Sequence, residues 1–103
     1  MSADASSAPP LAALALEDFA PLVGDAFQVG DPGIELRLDQ ARPGTAVVPN
    51  GRAPFALEFV GPKDRPLSQR IHGLAHPQLG SLDLFLVPVA SDEGGIRYEA
   101  VFS

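Results

Sequence analysis

The sequence predicts a mainly β domain, a small antiparallel β-barrel or roll of six to seven strands with one short N-terminal helix. Three observations carry this reading. Apolar and polar residues alternate in several separate stretches, the period at which a strand with one buried face places its side chains. Eleven Pro and ten Gly interrupt the chain, which suits short strands joined by turns. No helical pattern of about ten residues separates the strands, so parallel βαβ units are not expected. Closure into a barrel is preferred because it removes exposed edges, with a two-sheet sandwich as the alternative.

The 103 residues hold a single domain, taken as 11–103, behind a tail at 1–10 whose small polar residues and Pro9-Pro10 predict disorder. Leu11 to Leu16 is ambiguous: its Ala and Leu favour helix, yet Leu14-Ala15-Leu16 reads as a short strand as well. Glu17 to Gly24 reads as one or two helical turns: Glu17 and Asp18 sit where a helix start favours acids, and Gly24 suits a left-handed cap. Phe19, Leu22 and Val23 would then share one apolar stripe.

From Ala26 the period changes to two. Ala26–Val29 is a strand, Gly30-Asp31-Pro32-Gly33 a turn, and Ile34, Leu36 and Leu38 alternate with Glu35, Arg37 and Asp39. Gln40 to Ala53 reads as a long loop with turn signals at Pro43-Gly44 and Asn50-Gly51. Phe55, Leu57 and Phe59 alternate next, and Gly61-Pro62 ends that strand. A polar loop spans Lys63 to Ser68, and a weaker strand runs from Gln69 to His76, where Pro77 stops it.

Leu82 to Val89 is the most hydrophobic segment and reads as a strand covered on both faces or nearly so, with Pro88 marking an edge or a bulge. Ser91 to Gly95 is a hairpin loop. Ile96, Tyr98, Ala100 and Phe102 alternate with Arg97, Glu99 and Val101 to finish the chain in a strand.

Composition removes several functions. Thirteen acidic residues against seven basic give a net charge of -6, which repels phosphate backbones and anionic lipid, so neither nucleic acid nor membrane is an expected partner. The absence of cysteine excludes disulfides, thiolate metal sites and thiol nucleophiles. The stretch LAALAL has no basic segment before it and is too short to span a bilayer, so a cytoplasmic location is expected.

Candidate chemistry is weighed residue by residue. His72 and His76 stand four apart, a zinc-chelating spacing on a helix. In a strand the same spacing separates them by about 13 Å. A surface His72 and a strand-end His76 are expected instead, and no metal or cofactor. Glu35 and Asp39 are separated by the same strand spacing, Glu17 and Asp18 belong to the helix start, and Asp92 and Glu93 to a hairpin. None is the close carboxylate pair that glycoside hydrolysis needs. Gly80-Ser81 lacks the following x-Gly of a nucleophile elbow. Catalytic residues are therefore not expected.

One charge pattern remains. Arg42, Arg52, Lys63, Arg65 and Arg70 lie between positions 42 and 70, with Glu58 and Asp64 the only acids there, so the stretch is +3 inside a -6 chain. These residues are the candidate partner-binding loops, since rigid β-scaffolds commonly recognise partners through loops.

The blocks LEDFAPLVGDAF (16–27), IELRL (34–38), PFALEFVGP (54–62), PLSQ (66–69), HPQLGSLDLFLVPV (76–89) and RYEAVFS (97–103) together resemble a family of small bacterial domains, about 90 residues long and of unknown function. Members carry a Gly and an aromatic residue before the position of His76, where this chain has Arg70-Ile71-His72. The resemblance implies an accessory to phage-tail-like, tail-collar or fibre-like proteins. The functional expectation is therefore a noncatalytic structural or protein-interaction module, with a protein partner and room for a homo-oligomer. A small barrel holding an apolar ligand is the alternative.

Overall fold

The computed structural model describes residues 14–30, 33–44 and 54–102. The tail at 1–10, Pro32 of the first turn, the Asn50-Gly51 turn and Arg52 lie outside them. Helix α1 (Leu16–Phe19) runs into a 3-10 turn (Ala20–Leu22), and six strands follow: β1 (Ala26–Val29), β2 (Ile34–Pro43), β3 (Phe55–Gly61), β4 (Arg70–His76), β5 (Gly80–Asp92) and β6 (Gly95–Phe102). All neighbours are antiparallel and the sheet closes in the order β1-β2-β3-β6-β5-β4. The predicted barrel is present, with six strands.

Alternation decides which side chains fill it. Phe27, Leu36, Leu38, Phe55, Leu57, Phe59, Leu74, Leu82, Leu84, Leu86, Tyr98 and Ala100 are all buried in one cluster. The end of the barrel is plugged by α1, whose Phe19 ring lies 5.8 Å from that of Phe55 and 5.5 Å from that of Phe102. Asp18 fastens the first turn by accepting from the Ala15 N–H at 2.7 Å. Gly24, at φ +99, hands the chain to β1. Val23 departs from the expected stripe: the chain is already extended there, and its side chain is exposed.

Two bulges set the barrel's shape and correct two sequence boundaries. In β2, Leu38 opposes Phe59 and Gln40 opposes Glu58, so Asp39 is the extra residue. The strand then continues to Pro43, so Gln40–Pro43 is strand and not loop. The bulge shifts the alternation by one residue, and that shift hides the strand's second half from a period-two reading. In β5, Pro88 opposes Tyr98 and Ala90 opposes Arg97, leaving Val89 extra. This is the bulge Pro88 signals. Ser91 and Asp92 are strand residues, and the hairpin turn is only Glu93-Gly94. Gly95 (φ +136) must be glycine, because a Cβ there would strike the Gly61 carbonyl oxygen.

Strand β5 is also not covered on both faces. Leu82, Leu84 and Leu86 are buried, while Asp83 and Phe85 between them face outward. Its first half pairs with β4, from Arg70↔Leu86 to His76↔Gly80, and its second half pairs with β6, from Val87↔Glu99 to Asp92↔Gly95. One long strand therefore serves two neighbours in succession.

Candidate functional site

The sequence-predicted basic residues fall into different surroundings. Arg42, on the outer face of β2, pairs with Glu58 at 3.3 Å and Glu99 at 2.8 Å. Lys63 and Arg65 are exposed on the β3–β4 loop and make no ion pair among the described residues. Arg70 opens β4 and donates to the Ser68 hydroxyl at 3.0 Å. An anionic partner approaching Arg42 would compete with two carboxylates already in place.

The outer face of β2, β3 and β6 instead carries a network centred on Arg97. Its guanidinium reaches Glu58 at 2.8 Å, Asp39 at 2.9 Å and Asp92 at 3.1 Å. The hydrogen bonds it donates to Asp39, Glu58 and Asp92, in that order of effect, hold the guanidinium above its ordinary range. Arg97 in turn holds the Asp92 carboxyl below its ordinary value, assisted by the Gly94 N–H. The Asp39 bulge makes this possible: the extra residue puts Asp39 and Gln40 on the same outer face in succession, after which Ala41 returns to the core and Arg42 points outward again. These groups satisfy one another, and their role is structural.

Both histidines point into the barrel. His72 is buried, contrary to the surface position expected, because β4 places His72, Leu74 and His76 on its inner side. The His72 Nε2 donates to the Ser68 carbonyl at 2.7 Å. His76 accepts from the Gln78 N–H at Nδ1 (3.0 Å), which leaves Nε2 to donate to Asp25 Oδ2 at 3.0 Å. Its ring packs 4.6 Å from that of Phe27. Each histidine thus has its own partner at a different point of the wall. No group of three or more potential metal-ligating side chains occurs among the described residues.

The distinctive surface lies where β5 changes partners. The ladder from β5 to β6 ends at Val87↔Glu99, and residues Leu82–Leu86 have no strand partner on that side among the described residues. A cleft of about 230 Å³ opens at this seam, lined by Ile71, Asp83, Leu84, Phe85, Ala100, Val101 and Phe102. Three of the lining residues are large, apolar and outward: Ile71 (61% exposed), Phe85 (50%) and Val101 (68%). Ile71 and Phe85 are directly opposed across the β4–β5 ladder, so they form one continuous apolar surface. Among the described residues, Asp83 is the only charged group lining the cleft.

A family model described as Domain of unknown function (DUF6916) matches residues 14–102. The chain belongs to this family. No curated protein and no solved structure matches. The match to DUF6916 spans the helical plug and all six strands, so the barrel as a whole is the DUF6916 unit, with the seam within it.

The seam residues were absent from the sequence-predicted site. Their signal was present: Phe85 and Val101 fall on the outward phase of strands whose inward phase is already apolar. An apolar residue out of phase is visible in the sequence. That three such residues meet depends on how β4, β5 and β6 are ordered.

Proposed function

We propose that this DUF6916 domain is a noncatalytic protein-interaction module that binds its partner at the β5–β6 seam. The carrying observation is the apolar trio Ile71, Phe85 and Val101 standing exposed around one cleft. Apolar surface grouped in this way is the usual mark of an association site. Residues on strands present such a surface without reordering, which keeps the entropic cost of binding low. The sequence-based reading of an accessory to a larger phage-tail-like or surface assembly fits this module, as does the cytoplasmic location expected from the sequence.

The alternative, a barrel enclosing a small apolar ligand, finds less support. Phe27, Leu36, Phe55, Phe59 and Leu84 fill the interior, each no more than 3% exposed. The cleft is smaller than the roughly 300–1,000 Å³ of typical ligand pockets, and it lies in the wall. The test is affinity capture from native cells with the wild-type chain and with an Ile71→Ser, Phe85→Ser, Val101→Ser variant. The variant is expected to keep its melting profile and lose the captured partner. Capture unchanged by the triple substitution would refute the seam as the binding surface.

A further inference from the structure

Resting on that reading, we infer that the seam takes an extended segment of its partner, added as a strand along Leu82–Leu86 of β5 and bearing a basic residue opposite Asp83. Two independent features select this occupant. The first is hydrogen bonding. In a strand, alternate residues direct their N–H and C=O groups to opposite neighbours. From Leu82 to Leu86 one side of β5 is satisfied by β4, and the other side has no strand partner among the described residues. A helix or a folded surface brings no matching row of donors and acceptors, whereas an extended chain does. Five residues of free edge span about 17 Å.

The second feature is charge. Asp83 is exposed in the cleft wall and makes no ion pair among the described residues, while every other lining residue is apolar. The carboxylates of the neighbouring face, Asp39, Glu58, Asp92 and Glu99, are all engaged by Arg97 or Arg42. Asp83 is thus an uncompensated negative charge beside an apolar surface, in a chain of net charge -6. A partner strand carrying Lys or Arg at that point complements it, and one carrying Glu or Asp is repelled. Asp83 and Phe85 are two apart and share a face. The segment therefore carries its basic residue and an apolar residue two positions apart on its outer side, with apolar residues facing Leu84 and Ala100 on its inner side.

The test uses the full chain, uniformly labelled with nitrogen-15, and the peptide acetyl-Thr-Val-Lys-Val-Val-Val-Thr-amide. Saturable shifts confined to amides of Leu82–Leu86 and Ala100–Val101 are expected. Exchanging the peptide Lys for Glu should weaken binding about tenfold or more, and Asp83→Lys should reverse that preference. Asp83→Asn, a milder change, should abolish the preference without inverting it. The same peptide N-methylated at alternate backbone positions should not bind, since methylation removes the donors a strand needs. Equal binding by the methylated peptide would overturn strand addition, and so would failure of any peptide to shift Leu82–Leu86. A partner captured through Ile71, Phe85 and Val101 in the presence of that failure would leave the interaction surface standing and remove only its strand form.

Discussion

Phe55 and Phe102 are directly opposed across the β3–β6 ladder, and their rings stack with centroids 4.4 Å apart and planes 11° from parallel. Phe19 of the helical plug tilts onto both. The last residues of β6 are therefore core. Phe102→Ala removes one ring of this trio, and a buried Phe truncated to Ala typically costs about 3–5 kcal/mol. Domains of this size commonly have only about 5–15 kcal/mol in total. Urea melts should show Phe102→Ala far less stable than wild type, with Phe102→Leu between them. A wild-type midpoint in Phe102→Ala would mean that the aromatic trio does not hold the plug.

Arg97 gives a second prediction. Alternation marks it simply as an outward residue of β6, but it binds three carboxylates. Arg97→Ala leaves Asp39, Glu58 and Asp92 facing one another without their shared cation. It should destabilise more than Arg37→Ala, which breaks a single 3.6 Å pair, and less than Phe102→Ala. Added salt should narrow the gap, because partly exposed charges are screened. Equal melting temperatures for Arg97→Ala and wild type at low salt would contradict the network's role.

The pH dependence follows from Asp92, whose carboxyl is held low first by Arg97 and then by the Gly94 N–H. A carboxylate with a depressed folded value contributes stability that is complete above its unfolded value, about 3.9. That stability is lost as pH falls through the folded value. Wild type should therefore exceed Asp92→Asn in stability at pH 7, and the difference should shrink below about pH 4. Thermal melts of both chains between pH 7 and pH 2.5 measure it, and a difference that grows on acidification would reverse the assignment.

Backbone geometry separates two glycines. Gly95 has φ +136 and no room for a Cβ against Gly61, whereas a Cβ on Gly73 would lie 3.6 Å from Asp83 Oδ1, an ordinary contact. Gly95→Ala should be severely destabilising. Gly73→Ala should be neutral or raise stability by about 0.4–1 kcal/mol, through reduced freedom of the unfolded chain. Chemical denaturation of the two variants is sufficient to rank them.

His72 and His76 are held by Ser68 and by Asp25 with Gln78, at points about 13 Å apart along β4. A zinc titration by calorimetry should accordingly find no site tighter than about 10 μM, below the affinity of dedicated structural sites. A stoichiometric submicromolar site lost in His72→Ala would overturn the placement of both rings.

Much of the barrel was legible because a period of two survives in the inward residues of β1, β3, β5 and β6. Where legibility failed, a local irregularity was the cause. The Asp39 bulge broke the period and made the second half of β2 look like loop. Polarity suggests an outward His72, whereas the phase set by Leu74 points it inward, where its ring N–H donates to the Ser68 carbonyl. Arg42 was read by its charge alone, but Glu58 and Glu99, distant in sequence, meet it only once β2, β3 and β6 are adjacent. The seam belongs to the same class: strand order creates it, and strand order is not written in any one segment.

Among the described residues, closure of the ring rests on two residue pairs, Gln28↔Ala75 and Val29↔Leu74, whereas every other ladder has four or more. Those two pairs join positions more than forty residues apart, so the entropy of closing a long loop is offset by very few bonds. The wall between β1 and β4 is then expected to form latest in the sheet during folding and to exchange its amide protons earliest, which native-state hydrogen exchange would read. In kinetic terms the expected behaviour is that of a curled sheet with a short latch, one that opens locally before the rest of the molecule unfolds.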